Sequence, residues 1–244
     1  MISMEKTLPP PPGWAADSLT DFIETAHRNR FATFANKKDW SQRLVNIDGC
    51  FMQAAKEWLN PPNLLTPLLF LRCHSAYRAA CEHAMAGQVT DTFPQIRSCL
   101  EYAAYALHIH KNPGLDEKWL RRHDDEVAKK AVRNEFKISN VRATIRKANR
   151  HTAKVFSELY ERAIDYGGHP NERAITASLK MTDLGDCKSY DSIYFNGDGL
   201  PLEHALKTTA QTGVCALEIL RETFPERFEL LGVRAALLEL RKGL

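Results

Sequence analysis

Apolar residues recur at intervals of three and four positions along most of the chain, which is the spacing of one face of a helix. Proline or glycine follows several of these segments, and both residues favour helix ends. The fold class is therefore predicted to be all-α, a multi-helix bundle of about seven or eight helices. The predicted helices cover residues 17–35, 39–59, 64–86, 93–111, 115–134, 139–166, 201–223 and 228–241.

Two of the predicted helices are expected at the centre of the bundle. Residues 64–86 are apolar on nearly all sides, as in a helix surrounded by other helices. The helix over residues 93–111 carries small residues that allow close packing. Those small residues are Cys99, Ala103, Ala104 and Ala106.

One stretch near residues 174–195 departs from the helical pattern. Residues 174–181 and 190–195 are richer in β-compatible types, and a polar turn separates them. We predict a small β-hairpin or an irregular insertion there, and a short helix over residues 172–180 is the alternative.

The chain is predicted to form one domain. Of its 244 residues, 44% are hydrophobic, which is enough for a substantial core. No interior segment has the composition of a flexible linker. Residues 1–13 are proline-rich and are predicted to be a disordered tail, and residues 14–244 are predicted to be a single helical domain.

Composition and targeting signals narrow the class of protein. No apolar run reaches the roughly 20 residues that span a bilayer, and the first residues lack the apolar core of a signal peptide. None of the six cysteines forms a C-x-x-C pair, so we expect free thiols in a reducing compartment. A cytoplasmic protein without a membrane partner is expected, and its net charge of +3 implies no partner by itself.

The nine histidines are scattered, without the spacing of a metal site. The sequence also lacks the glycine-rich loops that bind phosphate and the G-x-S-x-G motif that carries a serine nucleophile. We therefore expect no metal and no cofactor.

A polar stripe interrupts the otherwise apolar helix over residues 93–111. Its members recur at helical spacing, so they share one face. They are Arg97, Glu101, Tyr105 and His108. The face is either solvated, with a structural ion pair, or it lines a polar pocket in which burial shifts the pKa of the glutamate.

The end of the helix over residues 139–166 is a second candidate. Tyr166 is followed by two glycines, His169, a proline and Asn171, a constrained turn that could project a histidine into a cleft. The alternative is that His169 and Asn171 only satisfy backbone groups. Together with the polar stripe, Tyr166, His169 and Asn171 make up the predicted binding cleft.

Positive charge is concentrated over residues 118–154, which carry 12 Lys/Arg and 4 Asp/Glu. Basic residues at four-residue spacing are predicted to form one face of a continuous helix, which binds nucleic acid or is simply solvated. The members of this basic face are Arg142, Arg146, Lys147, Arg150 and Lys154.

Several of these motifs together resemble a known group of proteins. They are Arg97-x-x-x-Glu101, Trp119-x-Arg121, Tyr160 and His169-Pro170-Asn171. This combination resembles a broad set of uncharacterised bacterial helical-bundle proteins over about residues 64–225. Some of these are distantly similar to the HEPN superfamily, which includes RNA-cleaving toxins and phage-defence proteins.

The HEPN ribonuclease signature is an arginine, four to six residues and a histidine, and Arg162 and His169 have that spacing. The resemblance implies that the pair lies at a dimer interface. There the arginine would stabilise phosphate charge and the histidine would assist cleavage at the ribose 2′-hydroxyl, without a metal. The sequence departs from the signature at Ala163, where the family usually carries a polar residue, and at the two glycines before the histidine.

Three functional hypotheses remain, and whether the protein is an enzyme stays open. The leading one is an accessory protein that binds a small ligand or a protein partner through the predicted binding cleft. The second is a metal-independent ribonuclease that acts on RNA through Arg162 and His169. The third is a structural homodimer that packs through small residues of the two central helices.

Overall fold

The computed structural model describes residues 9–58, 61 and 64–244, and this part of the chain is mostly α-helical. The helices are α1 (Ser18–Asn36), α2 (Lys38–Ala54), α3 (Leu65–Ala86), α4 (Val89–Lys111), α5 (Leu115–Leu120), α6 (Glu126–Glu135), α7 (Ile138–Ala148), α8 (Arg150–Ala163), α9 (Glu172–Ala177), α10 (Leu200–Thr223), α11 (Pro225–Leu230) and α12 (Val233–Leu240). A π-helical turn, Ile164–Gly168, follows α8. The all-α prediction is confirmed. Residues 1–8 of the predicted tail and residue 59 of a predicted helix lie outside the described residues.

The described residues form twelve α-helices, so the predicted number of seven or eight is wrong. Three predicted helices each divide into two. Asn149 is extended and its side chain accepts a hydrogen bond from the Thr152 amide at 3.0 Å, so α8 begins anew after α7. Asp125 caps α6 in the same way, and Gly232 has a φ of 68° between α11 and α12. A polar cap or a glycine with positive φ therefore divides each helix although the apolar pattern continues.

The centre of the bundle consists of α3, α4 and α10, which make the most extensive helix contacts in the fold. A left-handed turn at Gly87 joins α3 to α4, and a side chain there would collide with the Asn196 carbonyl. α7 and α8 pack against α4, and α8 also contacts α10. α1 lies on α3, while α2 and α12 lie on α10. The prediction that the two apolar helices are central is confirmed, with α10 as a third member.

The stretch near residues 174–195 contains both of the predicted alternatives. The short helix α9 comes first, and an antiparallel hairpin of β1 (Leu179–Asp183) and β2 (Lys188–Ser192) follows. Met181 lies opposite Tyr190 in the hairpin register. The hairpin is anchored at its base, where the Ile193 amide donates to the Ser178 carbonyl at 2.7 Å.

All six cysteines are free thiols. Cys50, Cys73, Cys99 and Cys215 are buried, Cys81 is half-buried and Cys187 is exposed. None of the helices within the described ranges is both long enough and apolar enough to cross a membrane.

We predict that Gly213→Ala destabilises the fold by about 1–3 kcal/mol, because a buried side chain would be forced into occupied space. A Cβ at position 213 would lie 2.5 Å from Cε2 of Tyr77 and 2.6 Å from Cγ2 of Ile47. Urea unfolding followed by circular dichroism gives the free energy of unfolding.

Gly49→Ala is the matched control, since a Cβ at exposed position 49 of α2 meets no atom within 4 Å. This variant is expected to stabilise the protein by about 0.5–1 kcal/mol through helix propensity. Equal stability of both variants would contradict the close packing of α10.

Candidate functional site

Arg97 and Glu101 of the predicted polar stripe lie between α4 and α8, where they bond to each other and to Tyr160. The Arg97 Nε donates to Glu101 Oε1 at 2.9 Å, and the Tyr160 hydroxyl donates to the same oxygen at 2.8 Å. The Arg97 guanidinium also lies over the Tyr160 ring, 5.4 Å from its centroid. Both charged side chains are about two-thirds buried, at 33% and 28% exposure. This face of α4 is therefore an interhelical contact.

Arg142 of α7 extends the same network. Its guanidinium lies 5.2 Å from the centroid of the Tyr160 ring and forms an ion pair with Glu161. Burial, and then the hydrogen bond to the Glu101 carboxylate, raise the pKa of Tyr160 to about 12, so its hydroxyl remains a donor at neutral pH. The network joins α4, α7 and α8, so its role is structural, and we call it the structural bracket.

Tyr105 and His108 continue along α4 into an aromatic cluster. The Tyr105 ring makes edge contacts with Trp119 and Phe136, at centroid distances of 5.6 and 5.0 Å. His108 is 3% exposed, and its Nδ1 lies 2.7 Å from the Thr144 hydroxyl. Burial lowers the pKa of His108. Both side chains are covered by other elements. Neither lines any of three cavities, which are the two recesses described below and a third cavity between α1 and residues 195–198.

The turn after α8 separates Tyr166 from His169 and Asn171. Gly167 has a φ of 145° and approaches α4 so closely that a side chain would collide with the Thr90 carbonyl. Asn171 donates to the carbonyls of Ile164 and His169, and its side chain caps α9 at the Ala174 amide. His169 is exposed, and its side chain bonds to none of the described residues.

The helix that was predicted to carry the basic face is broken at Asn149, so its basic residues are divided between α7 and α8. Arg142 points inward to Tyr160, and Lys154 lies 3.9 Å from Glu158. Arg146, Lys147 and Arg150 remain exposed. The prediction that one continuous helix carries these basic residues is wrong, because Asn149 is extended and α8 begins anew after it.

A separate charged cluster joins α2 to α3. Asp48 accepts two hydrogen bonds from Arg78, at 2.7 and 2.9 Å, and lies 2.6 Å from Nε2 of His74. The His74 ring stacks on Phe51 at 5.0 Å. No residue of this cluster lines any of the three cavities, so it has the character of a second structural bracket.

Arg162 leaves α8 in a different direction and reaches α10. Its Nη1 donates to Oε1 of Gln211 at 2.9 Å and to Oγ1 of Thr208 at 3.3 Å. Both partners are neutral, and no carboxylate of a described residue pairs with this half-buried guanidinium. Its Nε and Nη2 likewise bond to none of the described residues. Because neutral groups hold Arg162 in place, its charge is not paired, and its donor nitrogens Nε and Nη2 remain available to another group.

Arg162 and Gln211 line two recesses, which we call the upper and the lower recess. The upper recess, with a volume of about 490 Å³, is further lined by Trp40, Tyr166, Leu200, Glu203, His204, Lys207 and Thr208. The lower recess, of about 320 Å³, is further lined by His151, Thr152, Val155, Glu158, Leu159, Val214, Cys215, Glu218, Arg241 and Leu244. Both volumes fall in the range of small-molecule sites. We call the two recesses together the Arg162 cleft.

The upper recess carries an excess of positive charge. Burial, and then the charges of Arg162 and Lys207, lower the pKa of His204. The only carboxylate that lines this recess, Glu203, is already bonded to Lys37 at 2.8 Å. Neither ring nitrogen of His204 forms a hydrogen bond with a described residue, and the Tyr166 hydroxyl forms none either. The recess therefore presents several polar groups that have no hydrogen-bond partner among the described residues.

The lower recess has an apolar wall and mixed charges. Glu218 is buried and pairs with Arg221 at 3.1 Å and with Arg241 at 3.5 Å. Val155, Leu159, Val214 and Leu244 supply the apolar surface. Burial raises the pKa of the Cys215 thiol, which keeps it protonated. This recess suits an uncharged apolar group.

Of the predicted site residues, the structure brings Arg162 and Tyr166 together in the upper recess and places the others elsewhere. Sequence reasoning missed the contribution of α10. That contribution consists of His204, Lys207, Thr208 and Gln211. These four residues follow helical spacing and form a polar stripe on an apolar helix, which was a readable signal.

The small residues on which the dimer hypothesis depends are buried inside the chain. Cys99, Ala103, Ala104 and Ala106 are all fully buried, because α3 and α4 pack against each other. These residues offer no surface to a second copy. No cluster of three or more metal-ligating side chains occurs among the residues that the structure describes.

Comparison of the chain with known protein families, with curated proteins and with solved structures finds no match.

We predict that Tyr160→Phe destabilises the protein by about 1–2 kcal/mol, because Glu101 loses one hydrogen bond but keeps Arg97. Thermal and urea unfolding measure the loss. Tyr190→Phe is the control, since Tyr190 is 63% exposed in the hairpin. If the bracket is only structural, folded Tyr160→Phe keeps any ligand affinity of the Arg162 cleft, and a tenfold loss of affinity would contradict this.

Proposed function

We propose that the protein is a binding protein for a small organic anion, and that the Arg162 cleft holds this ligand. One observation carries the proposal. Arg162 is half-buried, is fixed by neutral partners, and has no carboxylate partner among the described residues. Such a group binds a carboxylate or phosphate oxygen pair with little reorganisation.

The surroundings of Arg162 support an anionic ligand over a neutral or cationic one. Lys207, which is exposed, also lines the upper recess and forms no ion pair with a described residue. A half-buried cation without a charged partner, such as Arg162, is costly, and an incoming anion removes that cost. By contrast, the predicted cleft around Arg97 and Glu101 already has its charges paired.

The apolar wall of the lower recess supports a ligand with an apolar part. This recess adjoins the upper one at Arg162 and Gln211, the two residues that line both. A site that combines apolar lining with a few fixed polar groups is typical of small-molecule recognition. The preferred ligand is therefore an amphipathic anion.

Four probes of equal chain length test the proposal by titration calorimetry: hexyl sulfate, hexanoate, hexan-1-ol and hexylammonium. The two anions are expected to bind, the alcohol more weakly, and the ammonium not at all. Arg162→Gln is expected to weaken hexyl sulfate binding by about 10- to 100-fold, the usual contribution of a charged hydrogen-bonding group. Arg162→Lys should lose less, because it keeps the charge.

Arg150→Gln is the matched control, because Arg150 is exposed on the same helix and lines none of the three cavities. Equal binding of all four probes, or equal losses in both glutamine variants, would contradict the proposal. RNA is tested in parallel. Cleavage of total RNA that disappears in both Arg162→Gln and His169→Ala would favour the ribonuclease hypothesis in its place.

A further inference from the structure

The two recesses differ in charge, and this difference orients a ligand. Arg162, Lys207 and His204 line the upper recess, and its one carboxylate, Glu203, is engaged by Lys37. The lower recess contains two carboxylates, Glu158 and Glu218, alongside two arginines, Arg162 and Arg241. Positive charge is in excess in the upper recess and balanced in the lower one, so an anionic group is favoured in the upper recess.

His204 occupies a fixed position in the upper recess. Its ring makes edge contacts with Phe93 and Tyr166, at centroid distances of 5.9 and 5.2 Å. Phe93 is fully buried, and it stacks on Tyr166 at 5.4 Å. The imidazole is thus held by a stacked pair of aromatic rings, while both ring nitrogens have no partner among the described residues.

The charged groups around His204 come from several elements. Arg162 reaches it from α8, and Lys207 and Glu203 come from α10 itself. Tyr166 of the π-helical turn, Phe93 of α4 and Trp40 of α2 contribute aromatic rings. In the free protein the nearby positive charges oppose protonation of the imidazole.

We infer that the anionic head group of the ligand occupies the upper recess, with its apolar part in the lower recess, and that His204 takes up a proton when the ligand binds. This inference rests on the proposed function. An anion beside Arg162 and Lys207 neutralises the charges that oppose the imidazolium, and it offers His204 an acceptor. Binding and protonation therefore favour each other.

The sign of the pH dependence follows from this coupling. The anion raises the pKa of His204 relative to the free protein, so the complex binds more protons. Affinity increases as pH falls through the titration range of His204. The increase is about tenfold for each unit by which the ligand raises that pKa. Hexyl sulfate is the right probe, because its own charge does not change between pH 5 and 8.

Calorimetric titrations of hexyl sulfate in two buffers with different ionisation heats measure the protons taken up, and affinities at pH 5.5 and 8 measure the slope. The full-length protein is expected to take up a fraction of one proton at pH 6.5 and to bind several-fold more tightly at the lower pH. In His204→Gln the uptake and the pH slope are expected to disappear. His123→Gln, with an exposed histidine outside the cleft, should keep both.

Three results would overturn the inference. One is binding that depends on Arg162 but shows no proton uptake. Another is uptake that persists in His204→Gln. The third is uptake that is lost in His151→Gln, which would place the head group in the lower recess. Each of these leaves the proposed function intact, whereas failure of both anionic probes to bind at all would overturn the proposed function first.

Discussion

α10 lies so close to α2 and α3 that position 213 has no room for a side chain: a Cβ there would lie 2.5 Å from the Tyr77 ring. This contact fixes the distance of α10 from α2 and α3, and it fixes the rotation of α10 about its own axis. The same rotation turns His204, Lys207, Thr208 and Gln211 toward α8 and the π-helical turn. The Arg162 cleft therefore depends on a packing constraint in the core, because α8 alone supplies only one wall.

The polar groups between helices fall into two classes. In the bracket of Arg97, Glu101 and Tyr160, each charge has a partner of opposite sign or a hydroxyl donor, so burial costs little. Around Arg162 the partners are neutral, and several donors have no acceptor among the described residues. The first arrangement stabilises the fold, whereas the second leaves donors open, which is the basis of the proposed function. Sequence cannot separate the two classes, since both place polar residues at helical spacing.

The larger part of the helical fold could be predicted, because apolar periodicity reflects which faces must leave water. α1, α3 and α10 begin and end within about two residues of the predicted bounds. The divisions at Asp125 and Asn149 were missed because one capping side chain ends a helix while the apolar stripe continues. For the site, Arg162 and Tyr166 were among the predicted residues, but their partners on α10 were not. Those partners lie some 40 residues further along the chain, so no local pattern connects them.

The sequence by itself determined the all-α class, the apolar central helices and the hairpin region. It also supplies the glycine at position 167, where the positive φ would be costly for any other residue. Tertiary structure decided which polar residues are paired and which are open. Arg97 and Arg162 look alike in sequence, as arginines at helical spacing from other polar groups. Their difference is that Arg97 pairs with Glu101 of its own helix, whose carboxylate also accepts from Tyr160 of α8, while α10 offers neutral groups to Arg162. Which residues of another helix meet each arginine is set by how the helices pack, and packing is a property of the whole chain.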